Sequence, residues 1–293
     1  MAARQRPLLV VGLGGNAISP PGGALDYAAE RHAVAAAAAE LATLVGMGYR
    51  LLVVHGNGPQ VGRLLDADFA AEILDIHVAQ TQGELGYLLA AGLSPLLNEP
   101  VSALMTRTLV DAADPALAAP DKPVGPLLAC RPQAPAVWLE TAGAWRRVVA
   151  SPRPLAVLEL EAVRALLDSG HVVAGGGGGV AIDRTGAPVL GVVDKDRVAA
   201  LLALALDAQA LMLATDVDAA YRGFGTPAAA AIRRLDTGTA SAELAAGTFA
   251  PGSMGPKVEA ALAFAEGSGR PARIAAVGAL AAALADACGT RVG

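Results

Sequence analysis

The chain has 293 residues and carries 22 Lys and Arg against 27 Asp and Glu, a formal net charge of -5 at pH 7, so it lacks the dense basic face that binding a nucleic-acid backbone requires. It is 54% hydrophobic but only 3% aromatic, which favours closely packed small-residue helices over an aromatic-rich β-sandwich. Its mean hydropathy is +0.47, yet no apolar run reaches the ~18 residues that crossing a bilayer requires, and Cys130 and Cys288 are too far apart to suggest a zinc site or a disulfide framework, so a reduced cytoplasmic setting is expected.

At the N-terminus, "MAARQRPLLVVGLGGNA" sets basic residues before an apolar run, as a signal peptide does. The run passes straight into Gly-Gly-Asn with no Ala-x-Ala site, so a first strand is expected. In the turn "GLGGNA" (12–17), backbone N–H groups can form an anion nest with Asn16 as an added donor, or the turn is simply tight. Neither the dinucleotide fingerprint with its ribose acid nor a Walker A ending is present. After a helical stretch, "HGNGPQVG" (55–62) repeats the design: glycines flank Asn57 and Pro59 opens a helix, exposing N–H groups to a carboxylate or phosphate. His55 reads as structural.

Residues 107–154, with clustered prolines and Trp138 and Trp145, are too irregular for a βαβ unit and too apolar for a disordered linker, which predicts a small inserted subdomain. "HVVAGGGGGV" (171–180) ends another strand with five glycines. Glycine is costly to order, so the run predicts close approach of backbone N–H groups to a bound anion, with one or two of the five serving only packing. "VVDKDRVAALLA" (192–203) sets Lys195 at a helix start, aimed at the same edge with Asp196 holding it, or else forms a solvated charge cluster.

"LMLATDVDAAYRGFG" (211–225) ends a further strand with Asp216, Asp218 and Tyr221, suited to ribose hydroxyls, metal-bound waters and an adenine face. A hairpin or loop excursion (222–244) then predicts a short helix beginning near Ser241. Finally, "FAPGSMGPKVEAAL" (249–262) places Lys257 at a helix N-terminus, where positive charge opposes the dipole unless an anion sits there too. Aliphatic runs alternating with Ala/Leu/Glu stretches predict a parallel sheet covered on both faces, with ligands at the carboxyl ends of its strands.

Together with "TQGELGY" (81–87), "DKPVGP" (121–126), "WRRVVASPRP" (145–154) and "GTRV" (289–292), these stretches run in order over nearly the whole chain and resemble the carbamate kinases of the amino-acid kinase superfamily. The resemblance implies an α/β fold, a three-layer αβα sandwich with a mostly parallel open central sheet and a small inserted subdomain. An acid-binding lobe would span 1–183 and a nucleotide lobe 184–293, in a cytoplasmic homodimer with no nucleic-acid or membrane partner. The implied reaction is ATP plus carbamate to ADP plus carbamoyl phosphate and back, often run toward ATP in arginine or purine breakdown. Mg2+ comes with ATP or ADP and not on direct side-chain ligands.

Position by position, the resemblance assigns Lys122 to the small substrate or moving phosphoryl group, Lys195 to the transferring phosphoryl with Asp196 orienting it, and Lys257 to the nucleotide phosphates. Gly14, Gly15, Asn16, Gly56, Asn57 and Gly176, Gly177, Gly178 line the acid and phosphoryl path. Thr215, Asp216, Val217, Asp218, Tyr221, Ser253 and Met254, with Lys257, hold the nucleotide. Gly179, Val180 and Ala181 depart from the family's Ile-Pro-type pair, which points to a looser acid pocket. The competing readings are a relative phosphorylating another small carboxylate or phosphate, and a non-catalytic nucleotide or metabolite sensor.

Overall fold

The computed structural model describes residues 6–19, 26–68, 71–133, 136–141, 143–250 and 252–293. The first half contains β1 (Leu8–Leu13), α1 (Tyr27–Gly46), β2 (Arg50–His55), α2 (Gly58–Asp68), α3 (Leu74–Leu93), β3 (Val101–Ala103), β4 (Arg107–Leu109), β5 (Lys122–Leu128), β6 (Val137–Thr141) and β7 (Ala144–Val149). There follow β8 (Ala156–Val157), α4 (Leu160–Leu167), β9 (His171–Val173), β10 (Val180–Ile182), β11 (Pro188–Val192), α5 (Lys195–Ala205) and β12 (Ala210–Thr215). The last stretch holds β13 (Ala220–Arg222), β14 (Ala230–Ile232), β15 (Arg234–Leu235), α6 (Thr237–Ala245), α7 (Met254–Ser268), β16 (Ala272–Ala276), α8 (Leu280–Leu284) and β17 (Thr290–Val292).

An eight-stranded sheet in the order β15-β17-β16-β12-β1-β2-β9-β3 forms the middle layer. Its pairings are parallel except β16 with β17. The central strands are continuous aliphatic runs because both faces are buried. Leu8 and Val10 of β1 enter one core with Val198 and Leu202 of α5 and Val258 and Phe264 of α7. Leu9, Val11 and Leu13 enter the other, with Leu41 of α1, Leu85 and Leu89 of α3 and Leu280 of α8. The expected αβα sandwich with a mostly parallel open sheet is thus the observed fold.

From β1 the chain crosses to β2 on one side and reaches β12 on the other. The crevice at the carboxyl ends of β1 and β12 is therefore a topological switch point, where open α/β sheets bind ligands.

Within 107–154, β4 pairs with β8 and β10 in a four-stranded sheet, while β5, β7 and β6 form a separate antiparallel sheet. Val124 of β5 and Val149 of β7 pack on Val61 and Leu65 of α2, which holds this second sheet over the carboxyl edge of the first.

The region 222–244 begins as the expected hairpin, β13 with β14. Its helix does not start near Ser241, however: α6 starts at Thr237, because Asp236 caps it through a bond from the Thr239 N–H at 2.9 Å. Aspartate satisfies an otherwise orphaned first-turn donor, so the start signal lay upstream of the apolar periodicity.

Candidate active site

Four strands empty onto the switch-point edge: β1 into Gly14 and Gly15, β2 into Gly56 and Asn57, β9 into the glycine run and β12 into Asp216. The first two turns touch backbone to backbone. A Cβ on Gly56 would lie 2.7 Å from the Gly15 nitrogen, so a side chain there would force the turns apart. The first turn of α2 adds N–H groups that have no acceptor within the helix.

A cavity of about 210 Å3 opens among these turns, lined by Gly14, Gly15, Gly56, Asn57 and Gly177 and by Lys122, Lys195 and Lys257. The lysines come from three separate places: the start of β5, the start of α5 and the first turn of α7. Asp196, only 2% exposed, joins two of them. Its Oδ1 accepts from Lys195 Nζ, and its Oδ2 accepts from Lys257 Nζ at 3.2 Å. Within the protein, the anion required at the N-terminus of α7 is therefore the Asp196 carboxylate.

Burial lowers the pKa of Lys195 although Asp196 opposes the shift. Burial acts on Lys257 in the same sense, but Asp196 and Asp194 outweigh it and its pKa is raised. Asp194 is held well below the usual carboxylate range: burial works against ionisation, and the nearby Lys122 and Lys195 ammoniums overcome it. His55 is also lowered, to about 4, by burial, partly offset by its Nδ1–H donating to the Gly56 carbonyl at 3.0 Å. It stays neutral at pH 7 and props the turn, as expected of a structural residue.

The five glycines divide their work. Gly177 lines the cavity. A Cβ on Gly176 would lie 2.3 Å from His55 Nε2, and one on Gly178 would lie 2.3 Å from the Val193 carbonyl oxygen. The N–H groups of Gly178 and Gly179 are consumed by the carbonyls of Gly175 and Gly176, both at 2.9 Å. Gly176 and Gly178, expected on the phosphoryl path, pack against His55 and Val193 and do not line the cavity.

Polar side chains brace the run. Thr106 Oγ1 accepts from the Gly175 N–H at 3.1 Å, Gln82 pairs with the Thr106 backbone in both directions, and Thr108 donates to the Gly178 carbonyl at 2.7 Å. Asn57 donates to Thr81 at 2.9 Å. Thr81 and Gln82 explain what "TQGELGY" does here. The departure at Gly179, Val180 and Ala181 falls on β10 and the bend before it: Gly179 abuts Thr108 and Val180 pairs with Val192 and Arg107. None of the three lines the cavity.

Gly178 has φ +84, and Gly186 has nearly the same value, φ +85, but there a Cβ meets nothing within 4 Å. Gly186→Ala should cost only left-handed strain, about 1–2 kcal/mol. Gly178→Ala adds the clash with Val193 and should lower the melting temperature clearly more. Equal shifts in the two variants would show that the run is not tightly packed.

A second cavity of about 190 Å3 adjoins the first through the shared residues Thr215, Asp216 and Ser253. Val217, Tyr221, Phe224, Phe249 and Met254 line it. Asp218 stands outside the wall and accepts from the Tyr221 hydroxyl at 2.6 Å. The Asn16 side chain lies outside the described residues. The sequence reading missed Asp194 and Arg146, which line the first cavity, and Phe224 and Phe249, which line the second. Of these only Asp194, an aspartate directly before a helix, carried a local signal.

The sequence model of the amino acid kinase family matches residues 7–276. A carbamate kinase of Escherichia coli O6:H1 is 42% identical over 298 aligned positions, covering 96% of this chain and 98% of that protein. Among solved structures, carbamate kinase from Giardia lamblia bound to citric acid superposes with a TM-score of 0.88, and the same enzyme bound to AMP-PNP with 0.86, each at 33% identity over 98% of both chains. With a lysine-lined cavity at the switch point of an αβα sandwich and these relatives matching the chain over nearly its whole length, the chain belongs to the amino acid kinase family.

Proposed function

We infer that this chain is a carbamate kinase, transferring a phosphoryl group reversibly between MgATP and carbamate to give ADP and carbamoyl phosphate. The observation that carries this reading is the convergence of Lys122, Lys195 and Lys257 on one cavity. A carbamate oxygen attacks the γ-phosphorus, the bond from that phosphorus to the bridging oxygen breaks, and ADP leaves with the electron pair. Carbamate is already an anion, so no base is needed to take a proton, and catalysis rests on alignment and on stabilising charge on the phosphoryl oxygens.

In this reading Lys195, oriented by Asp196, meets the transferring phosphoryl, Lys257 meets the nucleotide phosphates, and Lys122 meets the small acid. Gly14, Gly15, Asn57 and Gly177 offer backbone donors to the same anions, and Gly56, whose own N–H donates to the Leu13 carbonyl at 2.8 Å, leaves room for their approach. The base occupies the apolar cavity between Tyr221, Phe249 and Met254. A magnesium ion carried on the nucleotide would supply further positive charge beside the ammoniums, and Asp216, on the wall shared by both cavities, is the carboxylate that would hold it through water. The enzyme works in the cytoplasm as a homodimer that makes ATP. Ile76 and Tyr87, exposed on α3, offer apolar surface for the pairing.

The test is ATP formation from carbamoyl phosphate and MgADP, followed by coupling to hexokinase. ATP appearing only with both substrates is the expected result. No ATP, in a protein whose melting temperature MgADP still raises, would overturn carbamate as the acid and leave the nucleotide site standing.

A further inference from the structure

Asp194 touches three partners. Its Oδ1 accepts from the backbone N–H groups of Asp196 at 2.9 Å and Arg197 at 3.3 Å, capping α5. Its Oδ2 accepts from Lys122 Nζ at 2.8 Å. The carboxylate thus ties the separate sheet that carries Lys122 to the helix end that carries Lys195.

The surroundings of Lys122 show why such a tie matters. Lys122, Asp194 and Gly252 line the phosphoryl cavity and also a third, polar cavity on the other side, which includes Asp114, Asp121 and Arg153. The ion pair stands on the partition between the two. A lysine has a long, flexible stem and a strongly hydrated head. Packing alone does not choose between two open spaces, and the far one is also lined by carboxylates, Asp114 and Asp121. The Asp194 oxygen supplies the choice, because the cap fixes it relative to the first turn of α5.

We propose that Asp194 is a positioning residue: it holds the Lys122 ammonium on the phosphoryl side of this partition, at a set distance from Lys195. The inference rests on the reading of Lys122 as the group that meets the small acid. It makes the Lys122–Asp194 pair one functional unit, although the two residues are 72 positions apart.

A double-mutant cycle in the full chain tests this. Asp194→Asn keeps a capping oxygen, since asparagine caps as well as aspartate, and removes the charge. Lys122→Met removes the ammonium. In the hexokinase-coupled assay, Asp194→Asn should lower kcat/KM for carbamoyl phosphate by roughly 10- to 10²-fold, the range for a misplaced catalytic group, with little change in KM for MgADP. The double variant should be no worse than Lys122→Met alone. Asp194→Ser, which also keeps a capping oxygen, completes the same cycle if the asparagine variant does not fold.

Losses that multiply would mean that Asp194 acts independently of Lys122, and would overturn the inference while the proposed activity stands. An unsubstituted protein that makes no ATP would overturn the activity, and the inference with it.

Discussion

Replacing Lys195 by alanine should lower kcat for ATP formation by on the order of 10² to 10³, the usual loss for one transition-state donor, in a protein that stays folded. Folding should survive because Asp196 keeps its second partner, Lys257, and because the truncated side chain borders a cavity. The rate should not survive. In the proposed reaction charge gathers on the phosphoryl oxygens beside Lys195, and among the described residues lining the cavity Lys195 is the one cation that α5 supplies. The pH dependence adds a second signature. Burial sets the Lys195 pKa below the usual lysine value of 10.5, and its protonated form is the one that stabilises anionic charge. In the free enzyme kcat/KM should therefore fall as pH rises through this lowered pKa. The alanine variant should lose that alkaline limb along with its rate. Turnover within threefold of the parent, with the limb unchanged, would remove Lys195 from the chemistry.

The framework of this site was readable because strand ends and glycine turns are local features. Aliphatic runs followed by Gly-rich punctuation located β1, β2, β9 and β12, and the parallel-sheet rule placed their turns on one edge. The lysines could be singled out individually, Lys257 because its charge opposes a helix dipole. Their meeting around Asp196 could not, since Lys195 and Lys257 are brought together by the packing of α5 against α7. The glycine run shows the limit most clearly. Sequence alone says that no Cβ is tolerated, but not whether a ligand or the protein's own His55 and Val193 would be struck. Phe224 and Phe249 were invisible for a similar reason. Each is a lone aromatic in a loop, and only the fold sets both beside Tyr221.

The other large effect is expected from Asp196→Asn. The exchange keeps the side chain's shape and one acceptor oxygen but removes the charge that faces two ammoniums. Asp196 is 2% exposed and lies against Gly12, where a Cβ would meet its Oδ1 at 3.2 Å, so water cannot readily take its place. Breaking a buried ion pair from one side costs about 3–5 kcal/mol, because the remaining charge is left uncompensated, and here Lys195 and Lys257 would also repel each other. The melting temperature should fall by several degrees. Activity should fall by at least ~10²-fold, since neither lysine is then held at its working distance. MgADP should reverse part of the instability: its phosphates bring negative charge to the same ammoniums, so saturating nucleotide should raise the melting temperature more in the variant than in the parent. That comparison separates two causes. A variant as unstable as expected but indifferent to MgADP would owe its loss to disturbed packing at the start of α5. A variant as stable as the parent would mean that the two lysines are held by something other than Asp196, and the charge cluster would lose its central anion as an explanation for both fold and rate.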